Sequence, residues 1–295
     1  MQSQQIQWFP GHMARARRLM RESLPLVDAV AELRDARAPE SSRNPELQTL
    51  IGEKPRIVLL NKSDLADEDA TAQWLRYLRG QSVAALAVNS RSGQELHRFV
   101  PLVTQVLAPV IERNAAKGMA GRALRLMVVG IPNTGKSSFI NRLTRHNRAA
   151  VADHPGVTRR NQWYVAGDMN GVHIELLDTP GVLWPKFEDE SVGRKLAFLG
   201  AVKDEIIDGE TLAIQLCEVL QKAYLPRVTE RYKLTQSQDE LRNIRPWELL
   251  ALIARKRGML IAGGEPDLTR VSVMLLDETR AGKLGRLTLD AVPNA

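Results

Sequence analysis

Gly130-Ile131-Pro132-Asn133-Thr134-Gly135-Lys136-Ser137 is the stretch that decides the fold. Two glycines with four residues between them, followed at once by Lys-Ser, make a complete phosphate loop, and the flanks agree: Leu124–Val129 before it reads as a strand and Lys136–Thr144 after it as a helix. Glycine lets successive backbone N–H groups close around phosphate oxygens at a helix N-terminus, where the helix dipole favours an anion. Lys136 is then placed to reach the β- and γ-phosphates and Ser137 to ligate Mg²⁺, with Thr134, Gly135 and Ser138 completing the cradle.

Upstream, Asn61-Lys62-Ser63-Asp64 follows the apolar run 56–60. A carboxylate can accept hydrogen bonds from both the ring N–H and the amino group of guanine, a pair that adenine does not offer, so Asp64 is the candidate base selector. The stem of Lys62 can lie along the base, and Asn61 can tie this loop to the phosphate loop. Asn89-Ser90-Arg91-Ser92-Gly93, after the run 83–88, stands where a last base-contacting loop belongs, with Asn89 and Ser90 as its contacts; this rests on position, since the residues match weakly. Downstream, Asp178-Thr179-Pro180-Gly181 follows the run 173–177. There Asp178 can hold Mg²⁺ through water, and the Gly181 N–H can bond a γ-phosphate oxygen and register its loss. Thr158, between the two phosphate motifs, is the candidate threonine that closes on Mg²⁺; the alternative is an ordinary loop threonine. Together these loops call for GTP and GDP with Mg²⁺.

Between residues 26 and 178, apolar runs at 26–33, 56–60, 83–88, 124–129, 162–165 and 173–177 alternate with helical stretches at 13–23, 67–79, 94–107 and 136–144. This alternation predicts an α/β domain with a mainly parallel sheet over residues 1–185, its ligand outside the carboxyl ends of the strands. Residues 114–122 read as a connector. After Pro185 the strand pattern stops, and 191–199, 208–224, 246–257 and 268–279 read as helices, which predicts a small all-α domain over 186–295.

The 295 residues carry a net charge of +7, and the excess lies in the first 185, around Arg15, Arg17, Arg18 and Arg21 and around Arg142, Arg145, Arg148, Arg159 and Arg160. Such a surface fits a nucleic-acid partner or a solvated face. The single cysteine, Cys217, excludes an internal disulfide and a multi-cysteine metal site. No apolar run reaches the ~18–20 residues of a membrane span. With no signal-like segment at the start, a cytoplasmic protein without a membrane partner is expected.

The guanine motif precedes the phosphate loop, the reverse of the ordinary order, and in this the chain resembles the circularly permuted GTPases. Trp8-Phe9-Pro10-Gly11-His12-Met13 and Asp35-Ala36-Arg37-Ala38-Pro39 are similar to motifs of the ribosome biogenesis GTPase A family, and the resemblance is strongest from residue 8 to about 200. It implies a circularly permuted P-loop GTPase that hydrolyses GTP, stimulated by the ribosomal subunit and by potassium. It further implies an assembly factor for the large (50S) ribosomal subunit that binds rRNA in the GTP state, leaves on hydrolysis and is monomeric off the ribosome. A GTP-gated RNA-binding module with negligible turnover, or a GTPase acting in tRNA modification, are the alternatives.

Permutation puts the N-terminal helix where the second-switch helix normally lies, so His12 is expected near Asp178–Gly181. Val182 stands where many GTPases have a water-orienting glutamine, and its side chain cannot hydrogen-bond water. The resemblance gives that role to His12, against the alternatives that it caps its helix or contacts RNA. Asn133 resembles the phosphate-loop asparagine of potassium-stimulated GTPases that helps hold K⁺, or it only shapes the turn. The catalytic set is thus His12, Lys136, Thr158 and Gly181.

Overall fold

The computed structural model describes residues 10–144, 162–169, 172–181, 189–202 and 208–293, with main chain only at 10–13, 16 and 167–169. Within these, short runs of Val, Leu, Ile and Ala form strands β1 (Ala29–Asp35), β2 (Arg56–Asn61), β3 (Ala84–Val88), β4 (Leu124–Val129), β5 (Gln162–Met169) and β6 (Val172–Asp178). They join in one sheet in the order β3-β2-β1-β4-β6-β5. All neighbours are parallel except β5, which runs antiparallel to β6.

Parallel strands need helical crossovers, which cover both faces and leave the central strands buried throughout. On one face α4 (Phe99–Val106), α5 (Ala108–Ala116) and α6 (Lys136–Thr144) set Phe99, Val103, Phe139 and Ile140 against Leu33, Leu59 and Val128. On the other, Met20 of α1 (Pro10–Ser23) and Leu47 and Ile51 of α2 (Leu47–Ile51) pack on Val30, Met127 and Val129. Trp74 and Leu78 of α3 (Glu68–Gly80) cover Val58 and Leu60. All of β1 is buried, including Glu32 and Arg34, which pair at 2.9 Å beneath the loop that follows the strand.

Three expectations shift. The first strand begins at Ala29, because Leu24–Leu26, with Pro25 in it, is a single 3-10 turn. The helix expected at 94–107 starts at Phe99 after another 3-10 turn, and a second helix, α5, follows it. Pro109 lies in the first turn of α5, where a missing N–H costs nothing, whereas inside one continuous helix it would break the ladder. The connector read at 114–122 therefore begins within α5.

From β1 the chain steps outward to β2 and β3, and from β4 it goes the other way to β6 and β5. The adjacent strands β1 and β4 are thus the point where the winding reverses, and a crevice opens at their carboxyl ends.

Contacts divide the chain into Met1–Glu188 with Thr288–Ala295, and Asp189–Leu287. The second unit holds α7 (Glu190–Phe198), α8 (Gly209–Ala223), α9 (Leu225–Tyr232), α10 (Gln238–Asn243), α11 (Pro246–Lys256) and α12 (Leu268–Arg280). Side-chain caps start several of them: Asp189 on α7, Asp208 on α8, and the reciprocal Ser237–Glu240 pair on α10. Leu212, Leu216, Leu249, Ile253, Val271 and Leu275 are fully enclosed, as is Cys217, whose thiol burial pushes up well beyond the ordinary range.

The expected helical domain ran to residue 295, but residues 288–293 belong with the sheet. Leu289 N donates to Arg37 O at 2.6 Å, and the Asp290 carboxylate accepts from Glu40 N, Ser41 N and Ser41 Oγ at 2.9, 2.7 and 2.7 Å. The segment 288–293 is too short for an apolar pattern to be read as an element, so its anchorage was not announced locally.

Candidate functional site

The sheet register sets the depth of the loops. Asn61 pairs with Asp35 on one side and Val88 on the other, and Val128 pairs with Asp178. The loops after β1, β2, β3, β4 and β6 therefore leave the sheet at the same edge.

Asn61, 2% exposed, joins three of them. Its Nδ2 donates to Thr134 O in the phosphate loop at 2.7 Å, and its Oδ1 accepts from Ser90 N at 3.0 Å. Gly135 permits this approach: its φ is +91°, and a Cβ there would run into Asn61 Nδ2. Asn89 organises the third loop, its Oδ1 accepting from Arg91 N at 2.9 Å and Ser92 N at 3.1 Å. Lys62 and Asn133 both take left-handed backbone, at φ 59° and 60°, a strain that persists where surrounding contacts over-determine it.

Lys136 opens α6 and folds back along the loop, donating from Nζ to Gly130 O and Ile131 O, each at 3.1 Å. Burial pushes its ammonium down to about 8, against the opposing pull of the Asp178 carboxylate. Thr134 Oγ1 donates to Ile131 O at 2.9 Å. Ser137 and Ser138 sit half-buried in the first turn of α6. At the end of β6, Asp178 is buried, and Thr179 Oγ1 donates to Val128 O at 2.7 Å, fastening this strand end to β4. A Cβ on Gly181 would lie 3.0 Å from both Lys136 Nζ and Pro132 N, so this glycine rests directly against the phosphate loop.

Two residues that sequence reading used only for likeness have a physical part. Asp35, at the end of β1, accepts from Arg37 N, Nε and Nη2 at 3.0, 2.9 and 2.9 Å and pairs with Lys62 Nζ at 3.1 Å. Burial alone would raise its pKa, but the charges of Arg37 and Lys62 outweigh that and hold it far below the carboxylate range. Burial likewise works against the Arg37 guanidinium, while Asp35 and then Asp64 hold it charged, which places half-buried Asp64 within electrostatic reach. An acid and a base two residues apart at a strand end was the available signal. Thr158 and Val182 lie outside the described residues, as does the side chain of His12, whose main chain is in the first turn of α1.

The donor set suits Mg²⁺. A hydroxyl on Ser137 and a buried carboxylate on Asp178 are hard oxygen ligands, and Mg²⁺ is ordinarily held by one or two of these with water and phosphate oxygens. No group of three or more His, Cys, Asp or Glu side chains among the described residues could hold a metal by itself.

A mainly parallel sheet with the loop Gly130–Ser137 after β4, the Asn61–Asp64 motif after β2 tied to it by Asn61, and Gly181 against it is the frame of a circularly permuted P-loop GTPase. Residues 125–246 match the 50S ribosome-binding GTPase family. The chain is 45% identical over 286 residues to a protein named ribosome biogenesis GTPase A from Priestia megaterium, covering 97% of this chain and 96% of that one. It is 43% identical to the protein of that name from Bacillus cereus, over 97% and 93% of the two chains. The solved structure of GNP-bound YlqF from T. maritima superposes with a TM-score of 0.60 at 27% identity, covering 93% of this chain and 97% of that one. The chain belongs to the ribosome biogenesis GTPase A family, and it is a GTPase.

Proposed function

We propose that this GTPase is an assembly factor for the large ribosomal subunit, binding rRNA with GTP in place and leaving once GTP is hydrolysed. The nucleotide reading is carried by the Asn61 carboxamide, which joins a phosphate loop to a guanine-selective loop in one crevice. The ribosomal target rests on the likeness to proteins named for ribosome biogenesis. The basic residues of α1 offer a surface for RNA phosphates.

In this reading Asp64 takes the guanine edge, with Lys62 along the base and Asn89 and Ser90 closing its far side. Thr134, Gly135, Lys136, Ser137 and Ser138 surround the phosphates. Ser137, Asp178 and Thr158 would hold Mg²⁺, which would supply positive charge to the phosphate oxygens. Asn133 would help hold a K⁺ ion, which would add positive charge at the phosphates. Gly181 bonds the γ-phosphate through its N–H, and His12 orients the attacking water. The protein works in the cytoplasm and is a monomer away from the ribosome; no helix among the described residues is long and apolar enough to cross a membrane.

Cosedimentation with purified large subunits tests the proposal. Retention with a non-hydrolysable GTP analogue and release with GDP is expected, together with faster hydrolysis when subunits are added in potassium buffer. Equal retention with both nucleotides and no stimulation would overturn it. His12→Ala should slow turnover while leaving GTP affinity nearly intact; wild-type turnover removes His12 from the mechanism.

A further inference from the structure

Residues 288–292, beyond α12, make specific contacts with the sheet unit. Thr288 Oγ1 accepts from Asp67 N at 3.1 Å. Asp67 is the N-cap of α3, three residues after Asp64, so the base-reading loop is held at its front by Asn61 and at its back through Thr288. Leu289 N donates to the carbonyl of Arg37, the residue whose guanidinium clamps Asp35, which in turn holds Lys62. Asp290, 6% exposed, gathers the amides of Glu40 and Ser41 and the Ser41 hydroxyl, and its own carbonyl accepts from Nε1 of fully buried Trp74 at 3.2 Å. Val292 packs on the cluster around Trp74 and Leu78.

These hydrogen bonds fall on the two segments that flank the guanine-reading residues, 35–41 and 67–74. A buried carboxylate with three donors is an expensive contact to lose, since each stranded amide would remain desolvated. The tail continues from Leu287, where the contacts of the helical unit end.

We propose that residues 288–292 are a positioning element for guanine recognition, which joins the helical unit to the base-reading loop at its C-terminal end. Because GDP and GTP share the base, loosening the tail weakens both by the same factor and leaves their ratio unchanged. This inference rests on the assignment of Asp64 to the guanine edge.

Competition of fluorescent GDP with unlabelled GDP, GTP and ATP tests it, using Asp290→Ala, Thr288→Val and a chain ending at Leu287, each checked by circular dichroism. GDP and GTP affinities should each fall about tenfold, with faster GDP release and an unchanged GTP/GDP ratio, a factor equivalent to roughly 1.4 kcal/mol. The Asp290→Ala penalty should shrink in an Asp64→Asn background, because both act on one loop. If the shortened chain does not fold, the point variants decide. Folded tail variants with wild-type GDP affinity, or with losses that differ between GDP and GTP, would overturn the proposal. A neutral Asp64→Asn would instead overturn the base assignment beneath it.

Discussion

Replacing Asn61 with alanine removes a side chain that bridges the phosphate loop, the base-reading loop and the loop carrying Ser90. Two hydrogen bonds go, of 2.7 and 3.0 Å, and both surviving partners, the Thr134 carbonyl and the Ser90 amide, lie in buried residues. Each stranded group costs about 1–3 kcal/mol. Local relaxation and entering water return part of that, so about 3 kcal/mol is the expected loss when the loops must assemble around a nucleotide. That corresponds to a roughly 100-fold weaker affinity. Because the bridge lies on loops that can open without unfolding the sheet, the melting temperature of the free protein should fall by much less than a global loss of that size would cause. Titration of fluorescent GDP gives the affinity, and thermal melting with and without GDP separates the two effects. Asn61→Asp keeps the acceptor for Ser90 N but sets a carboxylate against the Thr134 carbonyl, and should bind no better than alanine. An Asn61→Ala protein with GDP affinity within about threefold of wild type, a difference under roughly 0.7 kcal/mol, would refute the argument that this carboxamide organises the crevice.

Three further outcomes follow from the same geometry. Burial depresses Lys136 to about 8, so the unfolded chain binds this proton more tightly; the site's contribution to stability rises with pH from about 8 toward the ordinary lysine value and is level below it. A bound phosphate favours the charged form, so calorimetry at about pH 9 in buffers of different ionisation enthalpy should show proton uptake with GDP, and none would contradict the placement of Lys136. Asp64→Asn should weaken GTP and admit xanthine nucleotides, read by competition binding; unchanged GTP affinity would remove its role. Gly181→Ala puts a Cβ 3.0 Å from Lys136 Nζ and Pro132 N, a tight contact that presses this loop slightly away from the phosphate loop. The expected loss, about tenfold or the equivalent of one hydrogen bond to a charged group, is in affinity for a GTP analogue and not in that for GDP; equal losses would contradict a γ-phosphate contact.

Much of the nucleotide crevice was legible because its parts are local. The phosphate loop announces itself by glycine spacing between an apolar run and a helix, and β4 and α6 match that reading at both ends. The apolar runs before Asn61 and before Asp178 likewise became β2 and β6. Harder to read was α5, because the apolar run through Leu107 looks continuous and only Pro109 marks the break. Charged residues inside a central strand, Glu32 and Arg34, also hide a strand's burial, since their pairing at 2.9 Å is visible only once the covering loop is in place.

The chain's own order of residues determined where the glycine-rich loop and the Asn61–Asp64 and Asp178–Gly181 motifs stand, that the apolar runs before them become strands, and that the Asn61–Asp64 motif comes first. Periodicity, glycine placement and strand-end motifs act over a few neighbours, so they can be read one window at a time. Only the tertiary structure decided that Asp35 would hold Lys62, that Gly181 would rest on Pro132, and that Asp290 would close on Ser41, 249 positions away. Those are close contacts between distant segments, and they exist only where the twist of the sheet and its register bring the partners together.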